Sequence, residues 1–218
     1  MSACWWFGLF IPAVFSVLAL RTTKFLFKAL VTASCIFLIC LLLGTSGMPF
    51  SPVLPLLAAL AASIIGDAFL SFRKGHETFY LYGILCFFGA HAAYLAYALA
   101  RPNQWVPAII LLLAMVLVFS VYYRFRLVPH IAGIPMKVAM YAYILISCAT
   151  FAFTATADAE LPGYLPLTAG IGLILFSDFS IGETDFTGNQ ALTGWILPTY
   201  YLSHMLLTAS IFAGIAGH

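Results

Sequence analysis

The chain has 218 residues, of which 64% are hydrophobic and 7% charged, whereas an ordinary soluble domain carries roughly 25% charged residues. So few charges cannot clothe a water-facing surface, and at roughly 20 apolar residues per span the chain reads as one multi-pass membrane domain over residues 1–218 with no separate soluble domain. A net charge of +2 from nine Lys and Arg is too small and dispersed for a nucleic-acid footprint.

Hydrophobic runs broken by Gly, Pro and charge predict eight helices, at 4–20, 25–43, 53–72, 78–99, 105–123, 134–154, 163–182 and 192–213. All but the first are near the length that crosses a bilayer. The first is short, and Pro12 inside it requires neighbours that satisfy the carbonyl it frees. Residues 1–6 show neither a basic n-region nor a small-residue cleavage site following, so this segment is expected to be retained. In the third span Ala58, Ala59, Ala61, Ala62, Ser63 and Gly66 offer a small-residue face for close helix packing. The five cysteines (Cys4, Cys35, Cys40, Cys86, Cys148) are odd in number, lack CxxC spacing and read as small buried hydrophobes. No internal repeat of the transporter kind is visible.

Charge orients the bundle. Arg21, Lys24, Lys28, Arg73, Lys74, Arg124, Arg126 and Lys137 fall on connections one, three and five, against Arg101, Asp158 and Glu160 on the other side. The positive-inside rule then places both termini on the non-cytoplasmic side. The seventh connection, also cytoplasmic, carries Glu183 and Asp185 and no basic residue, an exception that asks for a reason.

An ionisable group within a span costs roughly 2.5 to 3.5 kcal/mol even on the lenient insertion scale, so each is a candidate for function. Four stand out: Asp67, His91, Asp178 and His204. Asp67 and Asp178 are about five and four residues from the cytoplasmic ends of their spans, so both lie roughly 6 to 8 Å below that surface. Their shared depth predicts a pair facing one another, with Ser63 one turn from Asp67. Two carboxylates in a poorly hydrated cleft divide into an acid and a base. The histidines lie deeper, at roughly 18 to 20 Å. A four-ligand metal site would then have to bridge about 10 Å of depth with bonds of about 2.0 to 2.2 Å, which ranks a metal-free site above zinc. His91 is expected to make an interhelical hydrogen bond or to orient a carboxylate or water. Lys24 and Lys28, one turn apart, either snorkel to the headgroup level, the simpler reading for Lys28, or hold a phosphate while Glu183 and Asp185 receive an ammonium group.

The order Arg21-x-Thr23-Lys24, Ser63-x-x-Gly66-Asp67-x-x-Leu70, Phe79-x3-Gly83-x3-Phe87-x3-His91-x2-Tyr94, Gly170-x6-Ser177-Asp178 and Tyr200-Tyr201-Leu202 resembles the YhhN-like membrane family, the lysoplasmalogenases, over almost the whole chain. The resemblance implies hydrolysis of the vinyl-ether bond of lysoplasmalogens to a fatty aldehyde and glycerophosphoethanolamine or glycerophosphocholine. It carries the key aspartates onto Asp67 and Asp178, and makes Lys24, Ser63, His91, Tyr94, Ser177, Tyr200 and Tyr201 candidate substrate-binding residues. The partners implied are a lysophospholipid within the bilayer and water. The chain departs from the family's usual pattern at Phe25 (usually Pro), Ile174 (usually an aromatic) and His204 (usually Gln).

The chemistry suits the residues. Vinyl-ether hydrolysis needs one protonated carboxyl to protonate carbon and one carboxylate to stabilise the oxocarbenium ion and activate water, with no metal or organic cofactor. Asp67, beside Gly66 in apolar surroundings, is the expected acid. Two alternatives stand beside this: a zinc-dependent intramembrane lipid hydrolase using His91, His204 and the aspartates, and a proton-coupled transporter or lipid-binding protein. A short chain without eukaryotic targeting signals points to a bacterial inner membrane, with an internal eukaryotic membrane as the alternative.

Overall fold

The computed structural model describes residues 4–22, 24–72 and 77–216. Arg73, Lys74 and Thr23, which the sequence marks as basic loop and motif residues, lie outside the described residues. The chain folds into helices: α1 (Cys4–Phe7), α2 (Phe10–Thr22), α3 (Phe25–Ser46), α4 (Leu54–Ser71), α5 (Glu77–Leu99), α6 (Trp105–Tyr122), α7 (Ile134–Ala155), α8 (Tyr164–Thr187) and α9 (Thr193–Ala216). An isolated antiparallel bridge joins Asn103 to Ala157 at one end. Lipid dictates this choice, since backbone groups in hydrocarbon must be satisfied within their own segment. Among the described residues seven helices, α3 to α9, are long and apolar enough to cross a membrane.

The structure revises three predicted boundaries. The first predicted helix is broken into α1 and α2, and α2, with 13 residues, is only about 20 Å long. Pro12 falls in the first turn of α2, where the N–H has no intrahelical partner in any case, so little is lost by its absence. The fifth predicted helix continues past residue 123 through a π-helical turn at Tyr123–Leu127 and a 3-10 turn at Val128–His130. Arg124 and Arg126 therefore sit on helical backbone instead of a loop. The seventh runs to Thr187 and stops at Gly188, whose φ of 74° is a left-handed cap that glycine adopts without strain.

Small residues set the closest helix contacts. A Cβ on Gly66 of α4 would lie 2.9 Å from the Phe87 ring of α5, and one on Gly83 would lie 2.7 Å from Leu70. Of the predicted small face on α4, Ala59, Ser63 and Gly66 are buried, whereas Ala58 and Ala61 point outward. Gly170 similarly lets α8 approach α9, with its absent Cβ 3.2 Å from the Ser203 carbonyl oxygen. Around these contacts Leu43, Leu56, Leu60, Tyr94, Ile171 and Leu207 form the main core. Cys35, Cys40, Cys86 and Cys148 are unpaired.

Candidate active site

Two carboxylate clusters lie in the bundle, each built from several helices. In the first, α4 presents Asp67 one turn below Ser63, and Tyr200 of α9 donates its hydroxyl hydrogen to Asp67 Oδ2 at 3.0 Å. The Tyr200 ring is fixed by Phe87, edge-on at 6.4 Å between ring centroids, and by His204 at 4.4 Å. Tyr94 of α5 and Tyr200 both face Ser63, whose own hydroxyl donates to the Ala59 carbonyl at 3.0 Å. The hydroxyls of Tyr94 and Tyr201 are buried without a hydrogen-bond partner. A buried hydroxyl of this kind costs about 1 to 3 kcal/mol unless water or a ligand satisfies it.

In the second cluster, Tyr143 of α7 donates to Asp178 Oδ2 at 2.5 Å, and His91 Nε2 of α5 lies 3.3 Å from the same oxygen. The Asp178 side chain is 11% exposed and that of His91 only 2%. Nε2 donates to the carboxylate, and the other ring nitrogen, Nδ1, is buried with no partner. The two clusters adjoin: the Phe87 ring that packs on Tyr200 also borders the cavity at Asp178, and the His91 and Tyr94 rings meet edge to face at 6.0 Å. Asp178 and Tyr143 border two small cavities, of about 40 and 30 Å³. A larger one of about 330 Å³ opens at the opposite end beside Tyr97 and Arg101, away from both aspartates.

Several sequence expectations change here. His91 does not lie a helical turn or more too deep: it touches Asp178. The reason is the longer α8, which puts Asp178 nine residues from its end at Thr187 instead of four, or about 14 Å in. His204 is fully buried, and Thr32 bonds its Nδ1 at 2.8 Å. Among the described residues no group of three or more His, Cys, Asp and Glu gathers as a metal site, so the zinc-dependent alternative finds no donor set there. Ser177 donates to the Ile196 carbonyl at 3.0 Å, joining α8 to α9 instead of facing the carboxylates. Lys24 caps the start of α3 and is exposed. Lys28, one turn on and half-buried, is the lysine whose charge reaches Asp67.

The acidic exception among the connections predicted to be cytoplasmic also resolves. Glu183 is on α8, buried, with Arg126 Nε at 3.3 Å and Nη2 at 3.4 Å, the Tyr122 hydroxyl at 2.7 Å and Asn189 at 3.2 Å. Its oxygens are fully occupied within the chain, which leaves nothing for a headgroup ammonium. Asp185 accepts from the Tyr80 hydroxyl at 3.2 Å.

Sequence reasoning missed Tyr143. The available signal was a tyrosine in mid-span, since a hydroxyl in hydrocarbon must find a partner. The arrangement as a whole offers two carboxylates, two hydroxyls already given to them, and two more that are unsatisfied. Such unsatisfied hydroxyls near carboxylates are the groups that a water or a polar ligand would satisfy. No curated protein and no solved structure matches the chain. The model of the YhhN family matches residues 23–211, and the chain, a helical membrane protein, belongs to that family.

Proposed function

We propose that the protein hydrolyses the vinyl-ether bond of lysoplasmalogens, releasing a fatty aldehyde and glycerophosphoethanolamine or glycerophosphocholine. Family membership supports this reading, and the observation that carries it is a pair of carboxylates within spans, each receiving a tyrosine hydroxyl. Asp178, with two donors directed at one oxygen, is the anion. Asp67, with one, is the acid.

The reaction starts when Asp67 delivers its proton to the vinyl carbon distal to the ether oxygen. The double-bond electrons form the new C–H bond, and the adjacent carbon becomes an oxocarbenium ion that the Asp178 carboxylate stabilises across a poorly hydrated space. Water adds to that carbon and gives a proton to Asp178. The hemiacetal then collapses: its C–O bond to glycerol breaks, the glycerol oxygen takes the proton that Asp178 holds, and the hydroxyl proton passes to Asp67, which yields the aldehyde and restores both side chains. Tyr94 and Tyr201, with free hydroxyls, orient the water, and Lys28 is placed for the substrate phosphate. By the positive-inside rule Lys24, Lys28 and Lys137, and so the site, belong to the cytoplasmic leaflet, and a bacterial inner membrane is the proposed location.

Purified protein in detergent should release fatty aldehyde from a lysoplasmalogen and nothing from the matching ester lysolipid. Proton-coupled uptake into liposomes with no aldehyde formed would replace this reading with the transporter one.

A further inference from the structure

A lateral apolar groove of about 490 Å³ lies between α6 and α8. Its walls include Val118, Phe119, Phe151, Gly172, Phe176 and Phe179, with no charged side chain. Helix α6 packs mainly against α7 and meets α8 toward its inner end, where the Tyr122 and Phe179 rings lie 5.3 Å apart. The mouth faces lipid, since Val118 is 64% and Phe176 39% exposed.

The groove adjoins the Asp178 cluster across a shared wall. It shares Phe119, Tyr122, Leu175 and Phe179 with the small cavity that ends at Asp178 and Tyr143. From Gly172 to Asp178 is six residues of α8, or about 9 Å along the axis. Gly172 keeps the passage open: a Cβ there would stand 3.3 Å from the Phe151 ring. On the far side of Asp178 and Tyr143 lies the other small cavity, walled by Leu70, Tyr80, Ile84 and Phe87. The three adjoining cavities are thus ordered from an apolar opening in the bilayer, past a carboxylate, toward the basic end of the bundle. An amphiphile with one hydrocarbon tail has that polarity, tail toward mid-membrane and headgroup at the surface.

We infer that the α6–α8 groove is the subsite for the substrate's single hydrocarbon chain, which enters sideways from the bilayer and brings the bond to be cleaved to Asp178. The inference rests on the hydrolase reading for the identity of the amphiphile, and on the wall that the two cavities share for its position. Gly172 and Val118 set how long a chain the groove accepts.

The test compares the wild type with Gly172→Leu and with Val118→Trp, which fills the groove from a lipid-facing position that the fold does not depend on. Leu113→Trp, equally lipid-facing on α6 and outside the groove, is the control. The ratio of kcat/KM for a long-chain over a short-chain lysoplasmalogen should fall roughly tenfold or more in both groove variants and stay at the wild-type value in the control. An unchanged ratio in Val118→Trp overturns the inference while leaving the hydrolase reading intact. Should the wild type cleave neither substrate, the hydrolase reading fails, and the groove is tested separately with a lysophospholipid carrying a diazirine at its tail. Labelling of the Phe176 region that Val118→Trp abolishes supports the subsite, and labelling confined to other helices overturns it.

Discussion

The Tyr143 hydroxyl and the Asp178 carboxylate, on neighbouring helices, are 2.5 Å apart, and His91 reaches the same oxygen from a third helix. A carboxylate with two donors on one oxygen has its other oxygen free to face a cation or a water. Tyr143→Phe removes the shorter of these bonds without changing the packing volume. A hydrogen bond to a charged group contributes about 1.5 to 3 kcal/mol, so kcat for aldehyde release should drop roughly tenfold to a hundredfold, with the protein still monodisperse in detergent. A wild-type kcat would show that Tyr143 serves packing alone.

The proposed chemistry places a proton from solvent on carbon. In deuterium oxide the aldehyde should therefore carry one deuterium on the carbon beside the carbonyl, read by mass spectrometry against authentic aldehyde incubated under the same conditions. Aldehyde with no deuterium at that carbon would contradict protonation as the bond-breaking step.

Glu183 is satisfied by Arg126, Tyr122 and Asn189, and this makes it a structural residue. The Arg126 side chain is 52% exposed, which discounts the ion pair toward the surface range, while the buried hydrogen bonds add to it; Glu183→Gln should cost about 1 to 2 kcal/mol. Thermal unfolding in detergent should shift down accordingly. The preference between ethanolamine and choline headgroups should stay as in the wild type, and a changed preference would restore Glu183 to the headgroup pocket.

The Gly170 contact between α8 and α9 is tight, because the Ser203 carbonyl oxygen at 3.2 Å and Leu207 at 3.1 Å would have to give way to a Cβ. Gly170→Ala should destabilise by about 1 to 3 kcal/mol. Gly44→Ala, at a helical position with nothing within 4 Å, should stabilise by roughly 0.5 to 1 kcal/mol. Equal unfolding temperatures for the two variants would count against the packing described for α8 and α9.

Hydropathy alone carried the helical architecture, because seven long apolar runs leave lipid no other way to satisfy their backbone. It was less informative where helices end. The π-helical turn at Tyr123–Leu127 and the extension of α8 to Thr187 are held by tertiary bonds, Arg126 and Tyr122 to Glu183, that no local pattern announces. Those few residues misplaced the depth of Asp178, and with it the relation to His91. Asp67 and Asp178 were legible because a carboxylate in a span is conspicuous against apolar neighbours. Tyr143 and Lys28 were not, since tyrosine and lysine are common near membrane interfaces and only the fold shows which of them turn toward a carboxylate.

The central claim is that Asp67 and Asp178 together hydrolyse a vinyl ether, and aldehyde release from a lysoplasmalogen by purified wild type, Asp67→Asn and Asp178→Asn tests it most directly. The account predicts steady release by the wild type and none above background for either folded variant. Near wild-type turnover by either one would contradict it.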